Sequence, residues 1–220
     1  MTNKGILIVV SGFSGAGKGT IIKALLGRYP ENYSLSISAT TRKPRAGEVC
    51  GREYFFREME EFEKMIAENQ LIEYARYVGN YYGTPKDFVE EQLELGQDVI
   101  LEIEMQGALQ VKETYPEALL LFVTPPTGRC LRERLINRGT ETKAVIRSRM
   151  EQAVAESKAM VKYDYIIVND QLDICVEEVH HIVQGEHLRV FRNQEFVDKI
   201  GTELTKILKG DNEHATSVLH

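Results

Sequence analysis

The stretch Gly5-Ile-Leu-Ile-Val-Val-Ser-Gly-Phe-Ser-Gly-Ala-Gly-Lys-Gly-Thr20 decides the fold. Its apolar, β-branched beginning is typical of a strand that is buried on both faces of a parallel sheet. A Gly-rich turn follows, and after it apolar residues recur at helical spacing between Ile21 and Leu26. The order strand, loop, helix is the context in which the pattern Gly-x-x-x-x-Gly-Lys binds phosphate.

The Gly-rich turn predicts a binding site for a nucleoside triphosphate. Its glycines let successive main-chain N–H groups point at phosphate oxygens, and the following helix adds its positive end. Lys18 supplies a mobile charge for the β- and γ-phosphates. The predicted loop residues are Gly12, Phe13, Ser14, Gly15, Ala16, Gly17, Lys18, Gly19 and Thr20. The usual Ser or Thr after the lysine is Gly19 here, so Thr20 is the nearest hydroxyl for a metal ion.

Other proteins use the same kind of loop, and some Gly-rich turns serve packing alone. GTPases and motor ATPases normally add an Asp-x-x-Gly switch after a hydrophobic strand. The segment Glu102-Ile-Glu-Met-Gln-Gly107 comes nearest to that switch, but its spacing is different. The lysine, the spacing and the flanking elements together favour phosphate binding.

The rest of the chain predicts an α/β fold with a parallel sheet. Buried-strand patterns return at 98–104, 118–123 and 163–168, and helical segments separate them. Between the first helix and residue 98, shorter half-polar strands (34–38, 53–56) and two helices (59–69, 85–95) predict an inserted lobe. Residues 128–161 form two predicted helices joined near Gly139, 172–185 form a closing helix, and 186–209 form a further one.

Composition excludes several classes of protein. The 220 residues carry 27 basic and 33 acidic side chains, a net charge of −6, which offers no general basic field for nucleic acid or an anionic membrane. No apolar run approaches the ~18 residues of a membrane span, and we expect a cytoplasmic protein. The three widely spaced cysteines are expected to be reduced thiols. The five histidines (180, 181, 187, 214, 220) are expected at the surface.

Local clusters of arginine are therefore needed to bind anions. The segment Ser36-Ile-Ser-Ala-Thr-Thr-Arg-Lys-Pro-Arg-Ala-Gly-Glu48 places Arg42 and Arg45 three residues apart among hydroxyl groups. Guanidinium groups present paired donors that match phosphate oxygens, so these two arginines are predicted to share one phosphate.

At these residues the chain resembles the guanylate kinase family, whose members move the γ-phosphoryl group of ATP onto GMP. The resemblance covers about residues 4–185, and its most specific segments begin at Ser36, Gly79, Glu102 and Arg134. It implies a P-loop NTPase-type three-layer fold with a central parallel sheet, an inserted GMP-binding lobe and a helical lid. The implied boundaries are a kinase-like domain at 1–185 (core 1–33, 97–127 and 162–185; lobe 34–96; lid 128–161) and a C-terminal helical extension at 186–220.

The resemblance also implies roles for individual residues. GMP phosphate contacts fall on Ser38, Arg42, Arg45, Tyr54 and Tyr82; guanine contacts fall on Glu73 and Thr84, with Glu48 lining the same pocket. Carboxylates near the metal and GMP fall on Glu102 and Glu104, where the family more often has Asp. Catalytic charge falls on Lys18, Arg42, Arg134, Arg138 and Arg149, and adenine contacts fall on Asn169 and Asp170. The implied partners are ATP and GMP with Mg²⁺, and the other lid arginines (129, 132, 147) are expected to be exposed.

The residue types support the choice of guanine. Guanine displays two donors, N1–H and the exocyclic amine, and a carboxylate such as Glu73 accepts both. Adenine does not present this pair of donors, so a bound adenine would leave the buried Glu73 carboxylate unpaired. Two alternatives stay open: a kinase for AMP or another monophosphate, and a guanylate-kinase-like protein-binding module that has lost catalysis.

Overall fold

The computed structural model describes residues 4–77, 79–137, 139 and 142–217 of the chain. Over these residues the strands are β1 (Leu7–Gly12), β2 (Tyr33–Leu35), β3 (Ala39–Thr40), β4 (Phe55–Phe56), β5 (Leu71–Tyr77), β6 (Asn80–Pro85), β7 (Asp98–Glu102), β8 (Leu119–Thr124) and β9 (Tyr165–Val168). The helices are α1 (Lys18–Arg28), α2 (Met59–Ala67), α3 (Lys86–Glu94), α4 (Met105–Thr114), α5 (Gly128–Asn137), α6 (Lys143–Ser157), α7 (Leu172–His187) and α8 (Gln194–Ser217). Short 3₁₀ helices lie at Met160–Lys162 and Val190–Asn193. The chain divides into two compact units, one within residues 2–180 and the other within 181–220.

A five-stranded parallel sheet forms the centre of the first unit. Its strand order is β2-β7-β1-β8-β9, so β1 lies in the middle and all six of its residues are buried. This confirms the predicted α/β fold and the strands at β1, β7, β8 and β9. Because β1, β7 and β8 are parallel, their carboxyl ends lie at the same edge of the sheet, where ligands of open α/β sheets bind.

One strand departs from the prediction. Residues 34–38 were expected in the inserted lobe, but Tyr33–Leu35 pair in parallel with β7 at the edge of the central sheet. The reason is tertiary: Tyr33 is buried, and the Ser36 N–H continues the pairing to the Ile100 carbonyl at 2.9 Å.

Apolar packing fixes helices on the central sheet. Val9 and Leu101 of the sheet belong to one buried cluster with Val89 of α3 and Val111 of α4. This cluster also includes Ile72 of β5, so the inserted lobe is attached to the main core through that strand.

The inserted lobe has a second sheet with its own small core. Its strand order is β4-β3-β6-β5, and β5 and β6 form an antiparallel hairpin that the sequence pattern does not predict. Phe62 of α2 is fully buried against Ala39 and Leu71 and stacks on Tyr81 at a ring-centroid distance of 5.3 Å. The lobe therefore has a hydrophobic core that positions its polar residues.

The two helices predicted within residues 128–161 are confirmed as α5 and α6. Thr142 is the N-cap of α6, and its hydroxyl accepts a hydrogen bond from the Val145 N–H. The predicted lid residue Arg138 lies outside the described residues.

The surface prediction is wrong for His180. This residue of α7 is partly buried, and its ring stacks on Tyr29 at 3.7 Å between centroids. Its Nδ1 also lies 2.9 Å from the Tyr33 hydroxyl. Two tyrosines distant in sequence thus enclose the ring, which a helical pattern alone does not reveal.

In the second unit, the predicted helix at 186–209 is displaced. The preceding helix continues to His187, and α8 begins only at Gln194. The Asn193 side-chain amide donates to the carbonyls of His187 and Arg189, and these bonds stabilise the turn between the helices. None of the helices described between residues 4 and 217 is both long and apolar enough to span a membrane.

Candidate active site

The predicted phosphate-binding loop joins β1 to α1 at the edge of the central sheet. At Gly12, φ is 143° and an added Cβ would lie 2.1 Å from the Val123 carbonyl oxygen of β8. At Gly17, φ is 94° and a Cβ would lie 2.4 Å from the Asn169 side-chain amide. Any other residue at these positions would be both strained and overlapping, so the loop needs glycine there.

Lys18 lies across this loop. Its Nζ donates to the Gly12 carbonyl at 2.8 Å, so the ammonium group is held at the loop by a main-chain acceptor. A mobile lysine at the N-terminus of α1 adds to the helix's positive end, and both attract a phosphate group.

Three predicted residues from other elements contact the loop. Asn169 is buried at the end of β9, and its side-chain amide donates to the Ala16 carbonyl at 2.7 Å. Arg134 of α5 donates to the same carbonyl at 3.1 Å and to the Asn169 carbonyl at 2.7 Å. Arg149 of α6 donates to the Ser14 hydroxyl. Helices α5 and α6 therefore each present a guanidinium group at the Gly-rich loop.

A cleft of about 420 Å³ lies beside these contacts. It is lined by Gly15, Gly17, Thr20, Arg134, Asn137, Asn169 and Leu172. Asp170, predicted for the same site, is exposed and is not one of the described residues that line this cleft. The expectation that Arg129, Arg132 and Arg147 are exposed is confirmed.

A second cleft, of about 370 Å³, brings carboxylates to the other side of the loop. Its lining includes Lys18, Thr20, Glu102 and Glu104. Partial desolvation in the cleft raises the pKa of Glu102; the charge of Lys18 lowers it and that of Glu104 raises it further. A Cβ on Gly19 would lie 3.5 Å from a Glu102 carboxylate oxygen, so this position faces the carboxylate directly.

Sequence reasoning missed Glu156 of α6. Burial raises the pKa of this carboxyl, the Gln152 side chain and the Lys18 charge lower it, and the Glu104 charge raises it. Glu156 is therefore within electrostatic reach of the phosphate loop. It lies seven residues, or about two helical turns, after Arg149 on the same helix. In the sequence, only this spacing indicates that Glu156 and Arg149 lie on the same side of α6.

Arg42, which the sequence predicts to bind the GMP phosphate, is paired with a carboxylate. The two terminal nitrogens of Arg42 each donate to one Glu48 oxygen at 2.9 Å, and the Arg45 N–H donates to Glu48 Oε2 at 2.7 Å. These contacts lower the pKa of Glu48. The sequence predicts Arg42 and Arg45 on one phosphate, with Glu48 at the guanine; here Glu48 lies on Arg42, and the Arg45 side chain is exposed.

Aromatic residues surround Arg42. Its guanidinium carbon lies 5.3 Å from the centre of the Tyr54 ring, and Tyr54 packs edge-on against Tyr82 at 6.0 Å. Ser38 adjoins this group, since its carbonyl accepts the Phe55 N–H at 2.9 Å. Four of the five predicted phosphate-contacting residues, Ser38, Arg42, Tyr54 and Tyr82, are thus brought together by strands β3, β4 and β6.

The predicted guanine contacts form a buried pair. Glu73 is 6% exposed and Thr84 fully buried, and the Thr84 hydroxyl donates to Glu73 Oε1 at 2.8 Å. The β5–β6 register shifts between Leu71 and Tyr74, so Ile72 and Glu73 are both buried although they are adjacent in a strand. Burial raises the pKa of Glu73 to about 7, although the Thr84 hydrogen bonds lower it.

The residues present fit a magnesium ion that arrives with a nucleotide. Within the described residues, no group of three or more His, Cys, Asp or Glu side chains could hold a metal ion by itself. Mg²⁺ in phosphate-transfer sites usually has one or two carboxylates, water and substrate phosphates as ligands, so such a group is unnecessary. Glu102, Glu104 and Thr20 line the cleft and offer oxygen ligands of that kind.

A family model described as "Guanylate kinase" matches residues 4–186. The chain belongs to the guanylate kinase family. The guanylate kinase of Bacillus subtilis (strain 168) is 51% identical over 189 residues, which cover 86% of this chain and 93% of that relative. The guanylate kinase of Lactococcus lactis is 51% identical over 192 residues, covering 87% and 93%. A crystal structure of guanylate kinase from Anaplasma phagocytophilum superposes with a TM-score of 0.70 at 29% identity, covering 86% of this chain and 90% of that one.

Proposed function

We propose that the chain transfers the γ-phosphoryl group of ATP to GMP and releases ADP and GDP, with ATP on the loop at 12–20 and GMP on the inserted lobe. The observation that carries the choice of acceptor is the Glu73 carboxylate, which is buried in the lobe and oriented by Thr84. A buried carboxylate accepts both donors of guanine and is left unpaired by adenine.

On the ATP side, main-chain N–H groups of the loop and Lys18 bind the phosphates. Asn169 holds the loop through Ala16. In this proposal Asn169 and Asp170, which directly follow β9, contact the adenine. Arg134, Arg138 and Arg149 of the lid neutralise charge at the transferred group. Arg134 and Arg149 already contact the loop, which supports this role.

On the GMP side, Arg42, Arg45, Tyr54, Tyr82 and Ser38 bind the phosphate. Glu48 holds the Arg42 guanidinium in a fixed orientation, and a phosphate that binds there competes with Glu48 or shares the guanidinium with it. The Thr84 hydroxyl donates a hydrogen bond to Glu73, and its oxygen remains an acceptor for the guanine amine.

Transfer requires two anions to meet, so charge stabilisation dominates the chemistry. ATP with magnesium and GMP together carry about −4, and Lys18 with the five arginines supplies about +6. Bound Mg²⁺ would neutralise phosphate oxygens, held by Thr20, Glu102 and Glu104 on the protein side. The lobe and the lid helices exclude water when they close. Water at the phosphoryl group would otherwise accept it in place of GMP.

A non-catalytic protein-binding module is not favoured, because Lys18 and the lid arginines of a phosphate-transfer site are present. We place the protein in the cytoplasm, since its three cysteines have free thiols and both substrates are cellular nucleotides. Its partners in this proposal are ATP and GMP, without nucleic acid or membrane.

The test is ADP release from Mg-ATP with GMP, dGMP, AMP, CMP or UMP as acceptor. We expect turnover with the guanine acceptors only. Equal turnover with AMP would show that Glu73 does not select the base, and no turnover with any acceptor would favour the binding module.

A further inference from the structure

Gly107 stands where a helix would normally favour alanine. It is the third residue of α4, it is buried, and it has no positive φ that would require glycine. Alanine stabilises a helix relative to glycine, so a glycine inside a helix usually has a packing reason. None of the roles implied by the family resemblance falls on this residue.

The neighbour that excludes a side chain here is the Glu73 carboxylate. A Cβ on Gly107 would lie 2.6 Å from Glu73 Oε2, closer than nonbonded atoms approach, and 3.2 Å from the carboxyl carbon, which is a tight contact. The next contact, Ile103 Cδ1 at 3.3 Å, is a flexible side-chain end. The steric requirement for glycine therefore comes from the carboxylate.

The carboxylate cannot move away without losing its other contacts. Its Oε1 accepts the Thr84 hydroxyl at 2.8 Å, and Thr84 is fully buried in β6. The irregular register of β5 fixes the main chain that carries it. Thr84 and the first turn of α4 thus hold the carboxylate between them.

We infer that Gly107 is a specificity-determining position, whose missing side chain allows the Glu73 carboxylate to lie against α4 in the orientation that accepts both donors of guanine. The inference rests on the proposed function, since it concerns the same acceptor site. Gly107 does not contact the nucleotide in this account; it acts by positioning Glu73.

The direct test is the variant Gly107→Ala, with GMP, IMP and ATP affinities measured by calorimetry. IMP has the N1–H of guanine but no exocyclic amine, so it forms only one of the two hydrogen bonds. We expect the Kd for GMP to rise about 10-fold or more, because loss of a well-oriented polar contact has effects of this size. The Kd for IMP should rise less, so that the preference for GMP over IMP falls, and ATP affinity should stay within about 2-fold.

The matched control is Gly27→Ala. Gly27 lies in α1, and an added Cβ would meet nothing within 4 Å. This variant also places a methyl group on a helical glycine, and it should leave all three affinities unchanged. Equal losses of GMP and ATP affinity in Gly107→Ala, or an unchanged preference for GMP over IMP, would overturn the inference.

A second variant separates positioning from folding. Glu73→Asp shortens the side chain by one C–C bond of about 1.5 Å, which relieves the overlap with a methyl group at position 107. Combined with Gly107→Ala, it should lose less GMP affinity than the product of the two single losses. If Gly107→Ala alone does not fold, the double variant should fold, and failure of both overturns the inference. If the wild-type chain does not phosphorylate GMP, the proposed function itself is wrong, and this result is distinct from any result with the Gly107 variants.

Discussion

GMP affinity should depend on pH through Glu73. The carboxyl group is 6% exposed, and burial raises its pKa to about 7. Only the ionised group has acceptor positions for both guanine donors, because the neutral acid places a proton on one oxygen. GMP therefore selects the ionised form and releases a proton on binding at low pH.

The size of the effect follows from that pKa. If only the ionised form binds, the apparent Kd is multiplied by one plus the ratio of neutral to ionised Glu73. The factor is about 10 at pH 6 and about 30 at pH 5.5, and it approaches 1 above about pH 8. GMP affinity should thus rise with pH and then level off.

The assay is calorimetric titration of the protein with GMP between pH 5.5 and 8.5. The phosphate group of GMP titrates at about pH 6 and adds its own pH dependence to the Kd. Glu73→Gln provides the baseline, because it keeps the side-chain shape but has no ionisable carboxyl. The ratio of wild-type to variant Kd should change about 30-fold over this range. Parallel wild-type and variant profiles would refute the reasoning.

The same pKa predicts how stability without ligand depends on pH. An acid whose pKa is raised on folding keeps its proton in the folded state while the unfolded chain has lost it. The free energy of unfolding should therefore decrease as pH rises from about 4.5 to about 7, by about 3 kcal/mol, and then stay level. Urea unfolding of wild type and Glu73→Gln at both ends of this range measures the difference, and no such difference would indicate an unshifted carboxyl.

Three further variants test other parts of the account. Lys18→Ala should lower kcat/KM for GMP phosphorylation by at least about 100-fold, whereas Lys23→Ala, exposed on the same helix, should change it less than 2-fold. Arg42→Ala should raise the KM for GMP about 10- to 100-fold without changing the Kd for ATP. The control Arg52→Ala, at an exposed arginine, should change neither constant. Equal effects of Arg42→Ala on both nucleotides would contradict the assignment. Phe62→Ala should lower the free energy of unfolding by about 3–5 kcal/mol in urea, because Phe62 is fully buried in the lobe; a loss under about 1 kcal/mol would mean that the lobe core contributes little.

The phosphate loop could be predicted from the sequence because its signals are local. The buried strand, the glycines with their left-handed backbone and Lys18 all lie within Leu7–Lys18, and the spacing alone defines the loop. The strands next to β1 were also recognisable, since burial on both faces leaves a continuous apolar run in each.

The lobe was harder to predict because its contacts join distant segments. Strand β5 does not alternate cleanly between buried and exposed residues, since the bulge buries Ile72 and Glu73 together. Strand β6 becomes recognisable only through its pairing with β3 in the folded lobe. Thr40 and Thr41 hold Tyr81 through side-chain hydrogen bonds that no local pattern shows.

Site residues divide in the same way. The family motif led to Glu73 and Arg42, but pairing of Arg42 with Glu48 is a property of the folded lobe. The electrostatic interaction of Glu156 with Lys18 and Glu104, and the enclosure of His180 by two tyrosines, likewise depend on how helices α6 and α7 pack. A sequence pattern predicts which face of a helix is buried, but it does not predict which residues of other elements pack against that face.

The most direct test of the central claim is ³¹P NMR of the reaction of Mg-ATP with GMP. Transfer from a nucleotide on the loop to GMP on the lobe predicts ADP and GDP in equal amounts, with no inorganic phosphate beyond that in a protein-free control. Inorganic phosphate formed in place of GDP would contradict the account, because the γ-phosphoryl group would then have gone to water.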